Sequence, residues 1–273
     1  MKKICYFILL NFTIIKLSNA QSGNIINPLC IGVVTEIQSK ILGETRTLNL
    51  YLPDNYNKQK SYPVIYLLDG TINEDFLHIA GLIQFFRMQM KMPDCLLVGI
   101  ANIDRKRDFT FHTDLKELKE KYPTTGGSMK FIDFIEQELQ PFIQTTYHTN
   151  NEKYIIGQSL GGLLATEILL KKPYLFSHYL IISPSLWWDN ESLLSQAPSL
   201  IKNLGKDNIE VFVSVGSEGK IMEGDASKLV KTLRQSGIKN LGIHFLPLPK
   251  ENHATILHKS IYDIFKILFP YKD

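Results

Sequence analysis

The chain has 273 residues, of which 44% are hydrophobic and 21% charged, with a formal net charge of +3. That balance belongs to a globular protein able to bury a large core, and it excludes a disordered, collagen-like or disulfide-dense chain. The basic excess lies at the start: residues 1–20 hold Lys2, Lys3 and Lys16 and no acid, leaving 27 basic against 27 acidic side chains, which excludes a nucleic-acid footprint.

Those first residues read as a secretory signal peptide. Lys2-Lys3 is the basic region, Ile4 to Leu17 is mostly apolar, and Ser18-Asn19-Ala20 is a small-residue cleavage pattern cut before Gln21. The run is short for a membrane span and contains Asn11 and Lys16. The expectation is an exported protein, periplasmic or secreted, with no stable membrane insertion after cleavage and a single domain over 21–273. Export would permit a disulfide between Cys30 and Cys95. Cys95 opens an apolar run, however, and reads as a buried thiol. No cysteine cluster has metal-ligand spacing.

Ile31 to Gln38 and Thr45 to Leu52 alternate as two strands of a hairpin around Ile41-Leu42-Gly43-Glu44. Tyr62 to Leu68 is a nearly continuous apolar run, as in a strand covered on both faces. It ends at Asp69-Gly70-Thr71. Asn73 to Met90 reads as a helix, with Phe76, Ile79, Ala80 and Ile83 at helical spacing, and Cys95 to Ile100 as the fourth strand. Asn102 to Thr125 is dense in charges of both signs, either a solvated face or a lid or binding loop. A helix follows Gly126-Gly127-Ser128, with Phe131, Ile135, Leu139 and Phe142 on one face and a break or kink at Pro141.

Further strands are expected at Glu152–Ile156, His178–Ile182, Ile209–Val215 and Leu241–Leu246. Helices are expected after Ser159, over Glu223–Gln235, and from Asn252 to Phe269. The alternation predicts one mixed, mostly parallel eight-stranded sheet with helices on both faces.

Gly157-Gln158-Ser159-Leu160-Gly161 stands between a strand and a helix. G-x-S-x-G in that context is the nucleophile elbow of α/β-hydrolases. Glycines remove the Cβ atoms that so tight a turn would crowd. The helix start offers free N–H groups to an oxyanion, Leu160 first. The second donor in this fold comes from the loop after the third strand, here Gly70 or Thr71, with Thr71 favoured.

A serine hydroxyl needs a base to take its proton. In this fold the partners follow in the order Ser, Asp/Glu, His. His244 lies inside a strand and His258 inside a helix, whereas His253 lies in the loop after the last strand, at the carboxyl edge where open α/β sheets place ligands. The acid belongs after strand seven, where Glu218, Glu223 and Asp225 all stand. Glu218 is nearest the strand end and is favoured, with Glu223 and Asp225 as its rivals and a dyad with no acid as the remaining alternative. A histidine base predicts hydrolysis that rises as the imidazole loses its proton.

With these residues in view, the mature chain resembles the putative-esterase family of α/β-hydrolases, which includes enterochelin-type siderophore esterases and esterase D. The likeness rests on Tyr66-Leu67-Leu68-Asp69-Gly70, Arg105 to Thr110, Gly157 to Gly162, Ser183-Pro184-Ser185-Leu186-Trp187-Trp188 and Asn252-His253. It implies Ser159 as nucleophile and His253 as base, and leaves the acid unassigned. It implies ester substrates: siderophore trilactones, or feruloyl or acetyl esters of plant polysaccharides, with acyl transfer in some relatives. The expected reaction is hydrolysis of a small-molecule ester through an acyl-enzyme, with no cofactor. Trp187 and Trp188 are expected to line the acyl or aryl pocket, and Arg105 or Arg107 to meet an anionic substrate. An acyltransferase or a non-catalytic binding protein would share the fold. The second is disfavoured, because the fold alone would not require Ser159 and His253.

Overall fold

The hairpin forms as its alternation requires. In a computed structural model that describes residues 29–205 and 207–271, β1 (Val33–Ser39) pairs antiparallel with β2 (Glu44–Tyr51), turning at Gly43 with φ 70°. The signal peptide and its cleavage site lie outside the described residues. From Ile31 onward the chain is one compact unit.

β2 then runs antiparallel to β4 (Leu96–Ile100). The other pairs are parallel, through β3 (Tyr62–Leu67), β5 (Thr149–Gln158), β6 (His178–Ile182), β7 (Ile209–Gly216) and β8 (Leu241–Leu248), in the spatial order β1-β2-β4-β3-β5-β6-β7-β8. The expected mostly parallel sheet of eight strands is therefore present.

The unbroken apolar runs follow from burial on both faces. Val64, Tyr66 and Leu68 enter one core, while Ile65 and Leu67 enter the other. The smaller core lies under α1 (Phe76–Gln89) and α9 (Ile256–Leu268). The larger is covered by α4 (Ser128–Phe134), α5 (Gln140–Tyr147), α6 (Leu160–Lys171), α7 (Trp188–Leu200) and α8 (Gly219–Gln235). The break at Pro141 is a π turn, Ile135–Leu139, just ahead of it. Proline has no N–H for the carbonyl four residues back, so the helical ladder slips there.

Three expectations are corrected. The charge-dense segment holds α2 (Arg105–Phe109) and α3 (Lys116–Lys121) and is no uniform loop. Its first half is bolted to β2: fully buried Arg46 reaches Asp108 at 2.7 Å and Glu44 at 2.9 Å, and Arg107 reaches Asp108 at 2.7 Å and Glu44 at 2.6 Å. Arg107 is thus engaged within the fold, and only α3, with no buried residue, is a solvated face. The helix α7 has no counterpart in the sequence reading. Asp189, Asn190 and Glu191 at its start have positive φ, and Pro198 lies inside it. Finally, α9 begins at Ile256, so residues 252–255 are a turn.

Cys95 is a free, buried thiol, and Cys30 is free as well. Among the described residues no helix is long and apolar enough to cross a membrane.

Candidate active site

β5 ends at Gln158, and Ser159 turns the chain into α6 with φ 59° and ψ −119°. A serine there is strained, by about 1–3 kcal/mol, and holds only where its surroundings fix it. Two glycines do so by letting backbone close in. A Cβ on Gly157 would stand 2.4 Å from the Gly161 carbonyl oxygen, and one on Gly162 2.9 Å from Pro184 Cα. Gly161 is less confined, with its nearest neighbour at 3.5 Å. Leu160 opens α6, so its N–H is among those that a helix start leaves without an intrahelical partner.

His253 lies in the turn after β8, with its backbone carbonyl accepting from Gln158 Nε2 at 2.5 Å. Its Nδ1 meets Glu218 Oε2, also at 2.5 Å. Glu218 is 3% exposed and His253 47% exposed, so a buried carboxylate holds a half-exposed ring. The other carboxylate oxygen accepts from Ser183 Oγ at 2.5 Å and from the Gly216 N–H at 2.9 Å. Three polar contacts therefore converge on the Glu218 carboxylate, and of the three acids after β7 it is the one that meets His253.

Its two rivals have other tasks. Glu223 accepts from the N–H groups of Glu218 and Gly219 at 3.0 and 2.9 Å, capping the start of α8. Asp225 is buried, and burial, then Glu191, pushes its carboxyl up to about 6.

Ser159 Oγ stands 3.3 Å from Ser185 Oγ. Among the described residues no hydrogen bond joins it to His253. Both side chains line one cleft of about 630 Å³, with Ser185, Trp187, Ser217, Glu218, Met222, Asn252 and Ala254. Trp187 also walls a second cavity of about 470 Å³, formed with Leu115 to Leu118 and Asn190.

Trp188 is a correction. It is 0% exposed, packs edge-on against Tyr122, and gives its indole N–H to Phe111 O at 3.1 Å. It belongs to the core, and only Trp187 faces the cleft.

Thr71 and Arg105 are found in company that the sequence did not indicate. The Thr71 N–H donates to Glu74 Oε2 at 3.2 Å, and the Gly70 N–H to Ile100 O at 3.1 Å. The Gly70 bond is backbone to backbone, whereas the Thr71 bond ends on the exposed side chain of Glu74. Arg105 forks onto Asp69, Nε to Oδ1 at 2.6 Å and Nη2 to Oδ2 at 2.8 Å.

Ser183 and Ser185 had no assigned role in the sequence reading, although both lie at β6's carboxyl end, where site residues collect.

A mostly parallel sheet of this order, with a strained serine at its carboxyl edge and a carboxylate-held imidazole lining the same cleft, defines an α/β serine hydrolase. Residues 39–241 match the family described as "Putative esterase", and the chain belongs to that family. It is a carboxylic ester hydrolase. It is 29% identical over 241 residues to the ferri-bacillibactin esterase BesA of Bacillus subtilis (strain 168), covering 78% of this chain and 82% of that protein. An IroE-like serine hydrolase from Shewanella oneidensis is 32% identical, with 87% of this chain and 80% of that one aligned and a TM-score of 0.79. The BES protein from Bacillus cereus is 29% identical over 88% of this chain and 95% of its own, also at 0.79.

Proposed function

We propose that the chain is an exported serine esterase that opens siderophore-type trilactones through an acyl-enzyme, with Ser159 as nucleophile, His253 as base and Glu218 as the acid that orients it. The observation that carries this reading is the 2.5 Å contact of Glu218 with His253 Nδ1, in the cleft that holds the strained Ser159. With Nδ1–H given to the carboxylate, Nε2 keeps its lone pair for the serine proton.

Rotation about the Ser159 side chain exchanges the Ser185 contact for His253, as unliganded sites commonly require. Ser159 Oγ then attacks the ester carbonyl while His253 Nε2 takes its proton. The oxyanion is held by the Leu160 N–H and, once Glu74 moves aside, by that of Thr71. The C–O bond breaks, the imidazolium returns the proton to the leaving alcohol, and water releases the acid by the same steps reversed. Trp187 presents an aromatic wall to the acyl or aryl part of the substrate. The substrate class is supported by the likeness to BesA over most of both chains.

The test is hydrolysis by the chain from Gln21 onward beside Ser159→Ala. Short-chain aryl esters come first, then ferric and iron-free catecholate trilactones and feruloyl sugars. Wild-type activity lost by at least a thousandfold in the variant is expected, with the trilactones turned over at the highest kcat/KM. Equal rates in the two proteins would remove Ser159 as nucleophile, and a preference for feruloyl sugars would move the substrate to polysaccharide esters.

A further inference from the structure

The helix α1 covers the smaller core, yet it is apolar nearly all round. Phe76, Ile79, Ala80, Ile83 and Phe86 are buried on its inner side. On its outer side Leu77, Gly81, Phe85 and Met88 are exposed in one stripe, with Gln84 among them. The helix carries no acid, and its one basic side chain, Arg87, is turned to Asp54 and Asp94 at 3.2 and 2.9 Å. A helix that faces water keeps charge on that side, and one that is apolar all round is normally covered. The neighbouring α9 follows the ordinary pattern, with Lys259 and Lys266 exposed. Its exposed Tyr262, 6.3 Å from Phe85 between ring centres, widens the apolar stripe.

Gly81 stands in the middle of that stripe. Glycine is a poor helix former, and nothing in the surrounding fold requires it, since a Cβ there would meet none of the described residues within 4 Å. A notch of this kind suits a second backbone laid close across it. The residues around it are matched for a copy of the same helix. Leu77 and Phe85 lie four positions to either side, so two copies of α1 laid antiparallel about Gly81 set each Leu77 against the partner's Phe85. The same arrangement sets each Glu74 beside the partner's Met88, with the partner's Lys91 at the next turn.

Charge favours that orientation. Glu74 and Asp75 precede α1 and Lys91 follows it, so antiparallel copies bring acid to base, and the positive end of each helix dipole to the negative end of the other. Parallel copies would bring like to like. An anionic membrane is a poorer match, because the acidic end of the stripe would repel it and a fluid surface needs no notch.

From this we infer that the outer face of α1, with Tyr262, is an interface between two copies of this chain, paired antiparallel with Gly81 on the two-fold axis. The contact is isologous, each copy offering the same patch to the other. None of Leu77, Gly81, Phe85 or Met88 lines the cleft of Ser159 and His253, so the inference stands apart from the catalytic reading.

The experiment takes the chain from Gln21 onward with Cys30→Ser, which removes the exposed free thiol. Its mass is read by sedimentation equilibrium from about 1 to 100 μM, where a small interface dissociates. Expected is the mass of two chains at the upper end. Met88→Glu sets an acid against the partner's Glu74 and should weaken the dimer about tenfold or more, whereas Met88→Lys should not weaken it. Met88 is more than half exposed, so both variants should keep the fold, with thermal unfolding as the check. Gly81→Cys in the same background should cross-link to its own copy on mild oxidation, because facing Cα atoms at a helix crossing lie within disulfide reach. Lys116→Cys on α3 should not. A monomer at every concentration would overturn the interface, and co-sedimentation of that monomer with phosphatidylglycerol vesicles would give the face to a membrane instead. A dimer that is unchanged by Met88→Glu and leaves Gly81→Cys uncross-linked would place the contact elsewhere and overturn it too.

Discussion

Replacing Glu218 by glutamine should damage the enzyme more than replacing it by alanine. Glutamine is nearly the same size, and its single carbonyl oxygen can still serve Ser183 Oγ and the Gly216 N–H, which now share Oε1. That choice turns the amide NH2 toward His253 Nδ1, where the carboxylate oxygen now sits at 2.5 Å. An NH2 group only donates, so Nδ1 must accept, and the ring proton moves to Nε2, the nitrogen that has to take the proton of Ser159. The corresponding carboxylate-to-amide change in a Ser-His-Asp triad costs about 10⁴ in kcat. His253 is 47% exposed here, so water can help to restore the working tautomer. The loss should therefore lie nearer 10³, or about 4 kcal/mol. Alanine removes the partner without imposing the wrong tautomer, and should cost about 10–10². The assay is kcat on a neutral aryl ester at saturation for wild type, Glu218→Gln and Glu218→Ala, with thermal unfolding beside it. Glutamine as active as alanine, or more so, would refute the tautomer argument. Wild-type rates in both would remove Glu218 from the machinery.

Two further outcomes are expected. Asp225 is 4% exposed, its Oδ2 has no hydrogen-bond partner among the described residues, and burial raises its carboxyl from 3.8 to about 6. The folded state thus holds this proton more tightly than the unfolded one. The cost of the buried charge is full above pH 6 and gone below pH 4, amounting to about 3 kcal/mol. Asp225→Asn should stabilise the protein by up to that amount at pH 8 and by nothing at pH 4, read by urea unfolding, and an equal gain at both values would contradict the account. For the tryptophan pair, Trp188→Ala should cost about 3–5 kcal/mol of stability, as a large core truncation does. Trp187→Ala should leave the melting temperature nearly unchanged and raise KM for aryl esters, and the reverse pattern in thermal unfolding and kinetics would exchange their roles.

The elbow was legible because everything that specifies it is local. A strand, two glycines at close backbone approaches and a helix lie within about fifteen residues, and the close packing at Gly157 and Gly162 is what that spacing is for. His253 was legible from strand counting. The carboxylate beside it was legible only as a preference for Glu218, because three carboxylates follow β7 and only folding turns Glu218 inward toward a histidine 35 positions away while Glu223 caps the helix. Trp187 and Trp188 fall between β6 and the irregular start of α7, where no period says which ring faces the cleft. Arg105 stood in a run that looked solvated, and its partner Asp69 lies 36 residues back. Distant charge pairs carry no period, so a sequence does not disclose them.

Strain shows why these pieces meet where they do. Of the non-glycine residues with positive φ, Asp69, Ser159 and Ser183 follow the carboxyl ends of β3, β5 and β6, which are neighbours in the sheet. Each such residue costs about 1–3 kcal/mol and persists only where its surroundings hold it. The holders differ. Asp69 is gripped by Arg105, Ser159 by the glycines that let α6 and Pro184 close around it, and Ser183 by its bond to Glu218. Two of those three holders reach across to a neighbouring group of the site: Arg105 to the carbonyl before Ser159, and Glu218 to His253. On the proposed reading of the site, the contacts that keep the strained turns in place are thus the contacts that would align the serine, the imidazole and the oxyanion donors. A change that relaxed one turn would be expected to stabilise the chain while loosening the alignment, so strain in this sheet edge is part of how the site is held.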